Sequence, residues 1–432
     1  MRRLWALIAM IACAAPAAAQ DFFTLKGHGG PVMGIAVAPS GQVATASFDN
    51  SVGLWSDTDP SWLESHRAAV NRVLFIDDTT LVSGGDDFAA VLWDLETGQS
   101  RRFEGHEGKV MGLAYSAETG LLATGAWDGR IGLWPVAGGD PVFLEGHGAG
   151  VNDVAFSADG RLLYSASSDG TVRLWDVESG SEKIQLLRHG FGVNTLILNE
   201  AAGWLAYGAV DGGTRVVDLA TGEEIRDFTL DRRPILAMAM DPSESLLAVG
   251  DGEGYIMVID LKTWRIARDF RATRRGPIWA LAFSPNGANI HAGGLEDIMY
   301  SWPVATMGAH GTMADTTRSF LEDPAALPNG ERQFKRKCSI CHTLEPSSAR
   351  RAGPTLYDLF GRRAGTVGDY TYSDTLTGSE IIWSDETIDG LFDIGPDYYI
   401  PGTKMPMQRI VKPEDRADLI DYLRQATAPR EN

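Results

Sequence analysis

Between about residues 21 and 305 the chain repeats one pattern of apolar and polar positions. Glu104-Gly105-His106 leads, some twenty residues on, to Ala126-Trp127-Asp128-Gly129 and then to Ile131-Gly132-Leu133-Trp134. Glu145-Gly146-His147 leads in the same way to Ser168-Asp169-Gly170 and Val172-Arg173-Leu174-Trp175. The apolar residue that ends each unit stands at Trp55, Trp93, Trp134, Trp175, Val217, Ile259 and Trp302. The steps between them are 38, 41, 41, 42, 42 and 43 residues, within or close to the period of a repeated four-stranded β unit. The pattern is strong in the first four units and weaker in the last three.

The pattern stops near residue 305. Between about Ala305 and Pro328, Gly308, Gly311, Ser319, Asp323, Pro324 and Pro328 follow no period and mark a linker over 306–327, with a short helix expected over 316–321. A second, helical domain is expected over 328–427, its first helix starting near Asn329, where asparagine can cap the N-terminus, and residues 428–432 form a tail. At the other end Arg2-Arg3, an apolar run over 4–15 and the small residues Ala17-Ala18-Ala19 predict an export signal, residues 1–19, and therefore a periplasmic protein. Cys13 offers a lipoprotein alternative, which Met10 disfavours. No later run reaches eighteen apolar residues, so no membrane span is expected.

Within the strong units an aspartate lies six residues before the tryptophan, at Asp49, Asp87, Asp128 and Asp169. Histidines His28, His66, His106 and His147 follow the unit openings, with His189 in the fifth. These residues resemble a WD-repeat β-propeller of seven blades spanning residues 20–305. The resemblance implies that each histidine and aspartate joins a hydrogen-bonded chain within its blade, and one per blade speaks for structure rather than metal binding. Glu253 and Glu296 occupy the aspartate position in the last two units, and Arg232-Arg233 and Arg274-Arg275 stand in the histidine region. Phe22-Phe23-Thr24-Leu25-Lys26 precedes the first unit, where an outermost strand belongs. It should complete the last blade beside Trp302 and close the ring, which removes exposed strand edges.

Charge narrows the partners. The chain carries a formal −19, of which residues 1–320 hold −15 and the remainder −4. So acidic a surface repels phosphate backbones, and nucleic acid is excluded as a partner.

The chemistry gathers at Cys338-Ser339-Ile340-Cys341-His342, which holds two of the chain's three cysteines. Two thiols two residues apart, with histidine next, read as covalent haem attachment. The thiols reach two vinyl groups on one porphyrin edge, and the imidazole falls beneath the iron. A four-ligand zinc site needs two further Cys or His ligands nearby, and a dithiol enzyme needs a βαβ setting. Neither is evident, since His342 is the only histidine after His310 and the flanks look helical. For a second axial ligand, only Met405 and Met407 offer a thioether beyond residue 320. Met405 follows the rigid Pro401-Gly402-Thr403-Lys404 approach.

Phe334, Gly353-Pro354-Thr355-Leu356, Phe360-Gly361-Arg362, Tyr370-Thr371-Tyr372, Trp383, Tyr399 through Met405 and a closing helix with Tyr422 complete an order that resembles class I cytochrome c. The resemblance implies that His342 and Met405 ligate iron and that Pro354 offers its carbonyl to the far nitrogen of His342. It further implies that Arg362, Tyr372, Trp383 and Thr403 hold the propionate edge, and that Phe334 packs on Tyr422. Two positions depart from the pattern: Leu391 stands where a tyrosine is usual, and Met407 where an aromatic is usual. The expected fold is thus an all-β seven-bladed propeller followed by an all-α cytochrome c domain with one covalently bound haem c.

His/Met ligation saturates the iron and favours a relatively high potential, as in an electron carrier rather than an enzyme. Redox proteins are the expected partners: an unidentified donor and acceptor, such as a membrane oxidase or periplasmic dehydrogenase, with the propeller as docking module. Basic residues Lys335-Arg336-Lys337, Arg350-Arg351, Arg362-Arg363, Lys404 and Lys412 would steer an acidic partner to the haem edge. The competing classes are a scaffold or sensor with a regulatory haem, and a haem enzyme such as a peroxidase.

Overall fold

The computed structural model describes residues 21–273, 276–307, 327–401, 403–405 and 408–429. The export signal, Cys13, the 316–321 helix, Arg274-Arg275 and Met407 lie outside them. Residues 32–303 form seven antiparallel sheets of four strands, joined in a ring with Phe23–Lys26.

Six blades take their strands from consecutive sequence: 32–63, 70–103, 110–144, 151–188, 193–227 and 235–271. The seventh, over 278–303, has three strands of its own and receives Phe23–Lys26 as its fourth. That strand pairs with Ile298–Pro303, Phe23 opposite Ser301 and Lys26 opposite Ile298. The N-terminal segment therefore closes the ring. Leu25 is 2% exposed and packs with Met299, Val43 and Trp55, so the closure also buries apolar surface between blades 7 and 1. The second strand of each blade is mostly apolar and small residues without polar–apolar alternation because it is covered on both faces; Val43–Ser47 and Trp204–Ala209 are buried throughout. Outer strands such as Ser181–Arg188 meet solvent and are polar.

The expected hydrogen-bonded chain is present and longer than anticipated. In blade 1 His28 Nδ1 lies 2.9 Å from Asp49, its Nε2 lies 2.7 Å from Thr45 Oγ1, and Trp55 Nε1 donates to the same hydroxyl at 2.7 Å. Ser83, Thr124 and Ser165 do the same for His66/Trp93, His106/Trp134 and His147/Trp175. Each of the first four blades thus satisfies a buried indole and imidazole through one hydroxyl. Blade 5 substitutes Tyr207, whose hydroxyl meets His189 Nδ1 at 3.2 Å. In blade 6 the turn is held by Asp251, not by Glu253: its Oδ1 accepts from the amides of Glu253 and Tyr255. Arg232 replaces the histidine, paired with Asp251 at 3.1 Å and Asp269 at 2.7 Å and lying over the Tyr255 ring. In blade 7 Glu296 bonds the buried Tyr300 hydroxyl.

The C-terminal domain holds α1 (Asn329–Lys337), α2 (Asp374–Thr377), α3 (Asp385–Ile394), α4 (Pro396–Tyr399) and α5 (Pro413–Ala426). Asn329 is the first helical residue rather than the cap, and the capping position is Pro328. Its side chain instead donates to Asp415 at 2.7 Å and Asp418 at 2.6 Å, pinning α1 to α5. At Gly330 any β-carbon would overlap the Asp418 carbonyl, so the helices cross at backbone distance. Phe334 and Tyr422 meet across this crossing with ring centroids 5.5 Å apart. Ser384 caps α3 in a reciprocal box with Thr387, and Arg416 of α5 ties it down through Asp389 at 2.7 Å. No helix among the described residues is long and apolar enough to cross a membrane.

Candidate functional site

The site begins where α1 ends. The amides of Cys341 and His342 both turn back onto the Cys338 carbonyl, at 3.1 and 2.9 Å, and this tight turn directs both thiols and the imidazole into one cavity. Burial pushes both thiols up to about 12. A reactive dithiol needs its thiols lowered instead, so this burial does not suit one. No cluster of three or more His, Cys, Asp or Glu with metal-site geometry occurs among the described residues.

The imidazole of His342 is fixed from three sides. Its Nδ1 lies 2.7 Å from the Pro354 carbonyl oxygen, which assigns the proton to Nδ1 and leaves Nε2 as a free donor atom. Gly353 lies flat against the ring, where any side chain would collide with it. Burial holds the imidazole below its ordinary range and so keeps it neutral. The loop behind it is tied by contacts that the sequence did not reveal, through Ser348 and Asp369, which it did not single out, and through Arg351 and Tyr370, which it named for other reasons. Arg351 donates to the Ser339 and Ile340 carbonyls at 3.3 and 3.2 Å, and Ser348 Oγ donates to Asp369 at 2.6 Å. Tyr370 donates to the Ala352 carbonyl at 2.6 Å and packs edge-on against Tyr372. The basic pair at 350–351 carried a signal, but one read as surface charge.

Opposite elements supply the rest. Met405 lines the same cavity, its amide donating to Thr403 Oγ1 at 3.2 Å, while Lys404 Nζ donates to the Thr371 carbonyl at 2.9 Å. Arg362, Tyr372, Trp383 and Thr403 all line the cavity too. Arg362 is held by the carbonyls of Tyr357 and Thr355, at 2.5 and 2.8 Å, and Trp383 is bonded through its backbone to Arg362. Leu391, at the position where tyrosine is usual, is buried at the cavity wall and brings no hydroxyl. Leu356, Leu359, Ile388, Phe392 and Ile400 complete its apolar lining; the whole space, including the part walled by propeller turns, is about 980 Å³.

That space, two buried thiols, a tautomer-locked imidazole and a methionine on the same cavity suit a haem. They would hold it by two thioether bonds from Cys338 and Cys341 and by axial ligation from His342 and Met405. The apolar core of the domain is a shell around this space, formed by Phe334, Ile388, Leu391, Phe392, Leu419 and Leu423 among others.

Comparison with known proteins agrees with this geometry. Residues 20–56, 60–94, 98–135 and 141–176 match the WD domain, G-beta repeat family, and residues 327–427 match the cytochrome c family. The chain is 42% identical over 111 residues to cytochrome c of Ginkgo biloba, which covers 26% of this chain and 97% of that protein. It is 44% identical over 107 residues to cytochrome c of Sesamum indicum, covering 24% of this chain and 94% of the relative. Cytochrome c of Chlamydomonas reinhardtii is 42% identical over 111 residues, 26% of this chain and 98% of its own. The chain therefore belongs to the cytochrome c family through its C-terminal domain, which carries covalently bound haem c behind a seven-bladed WD40 propeller.

Proposed function

We propose that the protein is a periplasmic carrier of single electrons, its haem held between His342 and Met405 and its propeller serving as a protein-docking module. The observation that carries this reading is the placement of Met405 in the same cavity as His342 and the two attachment cysteines. When bound, the haem supplies a one-electron iron couple. The chain's own residues do the remaining work. Pro354 and Gly353 orient the imidazole, Leu391, Ile388 and Phe392 exclude water, and Arg362 with Tyr372, Trp383 and Thr403 receives the propionate edge. Low dielectric around the iron and a thioether ligand raise the potential, because both disfavour the more highly charged ferric form.

A potentiometric titration of the purified full chain tests the carrier reading. The haem should titrate reversibly as a single one-electron centre and exchange electrons rapidly with a membrane oxidase fraction from its source. A centre that reacts with peroxide at enzymatic rates, or that exchanges with no partner while titrating normally, contradicts it.

A further inference from the structure

The propeller does not stand clear of the haem domain. The cavity that holds Cys338, His342 and Met405 is continuous with a space walled by Phe48, Arg67, Phe88 and Lys109, which sit in turns on one face of blades 1 to 3. Beside it, one loop of the haem domain touches blade 1 directly. Arg350 donates to Glu64 at 2.6 Å and stacks over the Trp62 ring at 4.2 Å. The Arg350 and Ala349 carbonyls press against Gly29 so closely that any β-carbon there would overlap them, and the three atoms nearest to it all belong to the haem domain. Ala349 and Arg350 both have left-handed backbone, with φ of 47° and 53°. For residues with side chains such a conformation is costly and persists only where surrounding contacts hold it. The neighbouring Arg351 ties the same loop to the haem-attachment turn.

From this we infer that the turn face of blades 1 to 3 is a docking surface for the chain's own haem domain, and that it roofs the haem crevice. Arg350 is the latch. The inference rests on the electron-carrier reading for its purpose, but not for its geometry. Charge complements the contact: the acidic N-terminal part presents Glu64 to one of the basic positions of the haem domain. The latch is also releasable. Both side chains keep substantial exposure, 35% for Arg350 and 59% for Glu64. An exposed ion pair of this kind shifts an equilibrium by roughly fivefold or less. A redox partner that competes for Glu64 or Trp62, or salt that screens the pair, therefore uncovers the haem edge without unfolding either domain.

The test uses the full-length holoprotein. Gly29→Leu drives an uncharged wedge between the domains, and Arg350→Gln removes the latch at its other end. Small-angle scattering reads the separation, and stopped-flow oxidation by hexacyanoferrate(III) reads haem access. The visible spectrum checks that the haem surroundings are intact. Both variants should show a larger radius of gyration, and Gly29→Leu, which leaves the charge unchanged, a several-fold faster oxidation, with unchanged spectra. Scattering that stays at the wild-type value in both variants overturns the docking surface. Open scattering with an unaltered oxidation rate in Gly29→Leu overturns the roof. Should the domains separate as expected while the wild-type haem fails to cycle, the carrier reading falls and the docking surface stands.

Discussion

His342 Nδ1 lies 2.7 Å from the carbonyl oxygen of Pro354, twelve residues further along the chain. Proline is apt there because its fixed φ holds the carbonyl and it has no N–H to divert it. The residue before it, Gly353, lets the backbone pass against the imidazole. Gly353→Ala should thus push the ring off its bond while leaving the cysteines in place. Loss of an outer-sphere partner of this kind typically costs roughly 10–100-fold in metal affinity or activity. The expected outcome is a sharp fall in the yield of low-spin haem protein, measured by pyridine haemochrome against total protein. A normal yield and spectrum would show that the contact is incidental.

The ring closure gives a second expectation. Leu25 is almost fully buried on the closing strand, and truncating such a residue costs about 2–5 kcal/mol. Leu25→Ala should lower the urea midpoint of propeller unfolding accordingly. Deleting residues 21–27 should go further and expose the edge of Ile298–Pro303, giving concentration-dependent aggregation. A monomeric deletion variant of wild-type stability would mean that the blade closes without its fourth strand.

The hydroxyl at the centre of each blade's bonding chain is a third target. Ser83→Val removes the shared partner of His66 Nε2 and Trp93 Nε1, both buried. Leaving buried polar atoms unpaired costs about 1–3 kcal/mol each, so with two of them the propeller should lose about 2–6 kcal/mol in denaturant unfolding. Ser83→Thr should retain most of the stability, since it keeps the hydroxyl. Equal stability of both variants would contradict the assignment.

Acid sensitivity follows from His291. It is 2% exposed, its Nδ1 finds no hydrogen-bond partner among the described residues, and burial lowers it from 6.5 to about 4. The unfolded chain thus binds a proton here at a pH where the folded propeller does not, so stability falls as pH drops from about 6.5 to about 4. Burial lowers His106 and His147 in the same direction, while Asp153 and Asp251, which burial raises, oppose it. His291→Leu should therefore flatten, not abolish, the slope of unfolding free energy over that window. An unchanged slope would show that His291 gains a partner that satisfies its charged form.

The sequence carried most of the architecture because the signals were local and repeated. Tryptophans at a fixed step, the Asp-to-Trp spacing and the Cys-Ser-Ile-Cys-His run each depend on residues close in the chain. The hydroxyls at Thr45, Ser83, Thr124 and Ser165 were also legible, ten residues before each tryptophan, but serine and threonine in strands draw little notice. Asp251 was missed because blade 6 moves its turn carboxylate two residues from the expected place. In the sequence Arg350 and Lys404 read as surface charges that steer a redox partner. Their roles depend on Glu64, 286 residues away, and on the Thr371 carbonyl, and neither separation leaves a local trace. Lys404→Glu is for the same reason a poor probe of electrostatic steering, since it also breaks a loop tie.

Met405 is proposed to close the iron's sixth position. Carbon monoxide titration of the reduced full-length protein measures this most directly, with Met405→Ala and Met407→Ala in parallel. Wild type and Met407→Ala should bind carbon monoxide poorly, and both should retain the weak long-wavelength sulfur-to-iron band when oxidised. Met405→Ala should lose that band and bind carbon monoxide promptly. Prompt binding by the wild type, or loss of the band in Met407→Ala with its retention in Met405→Ala, would contradict the proposal.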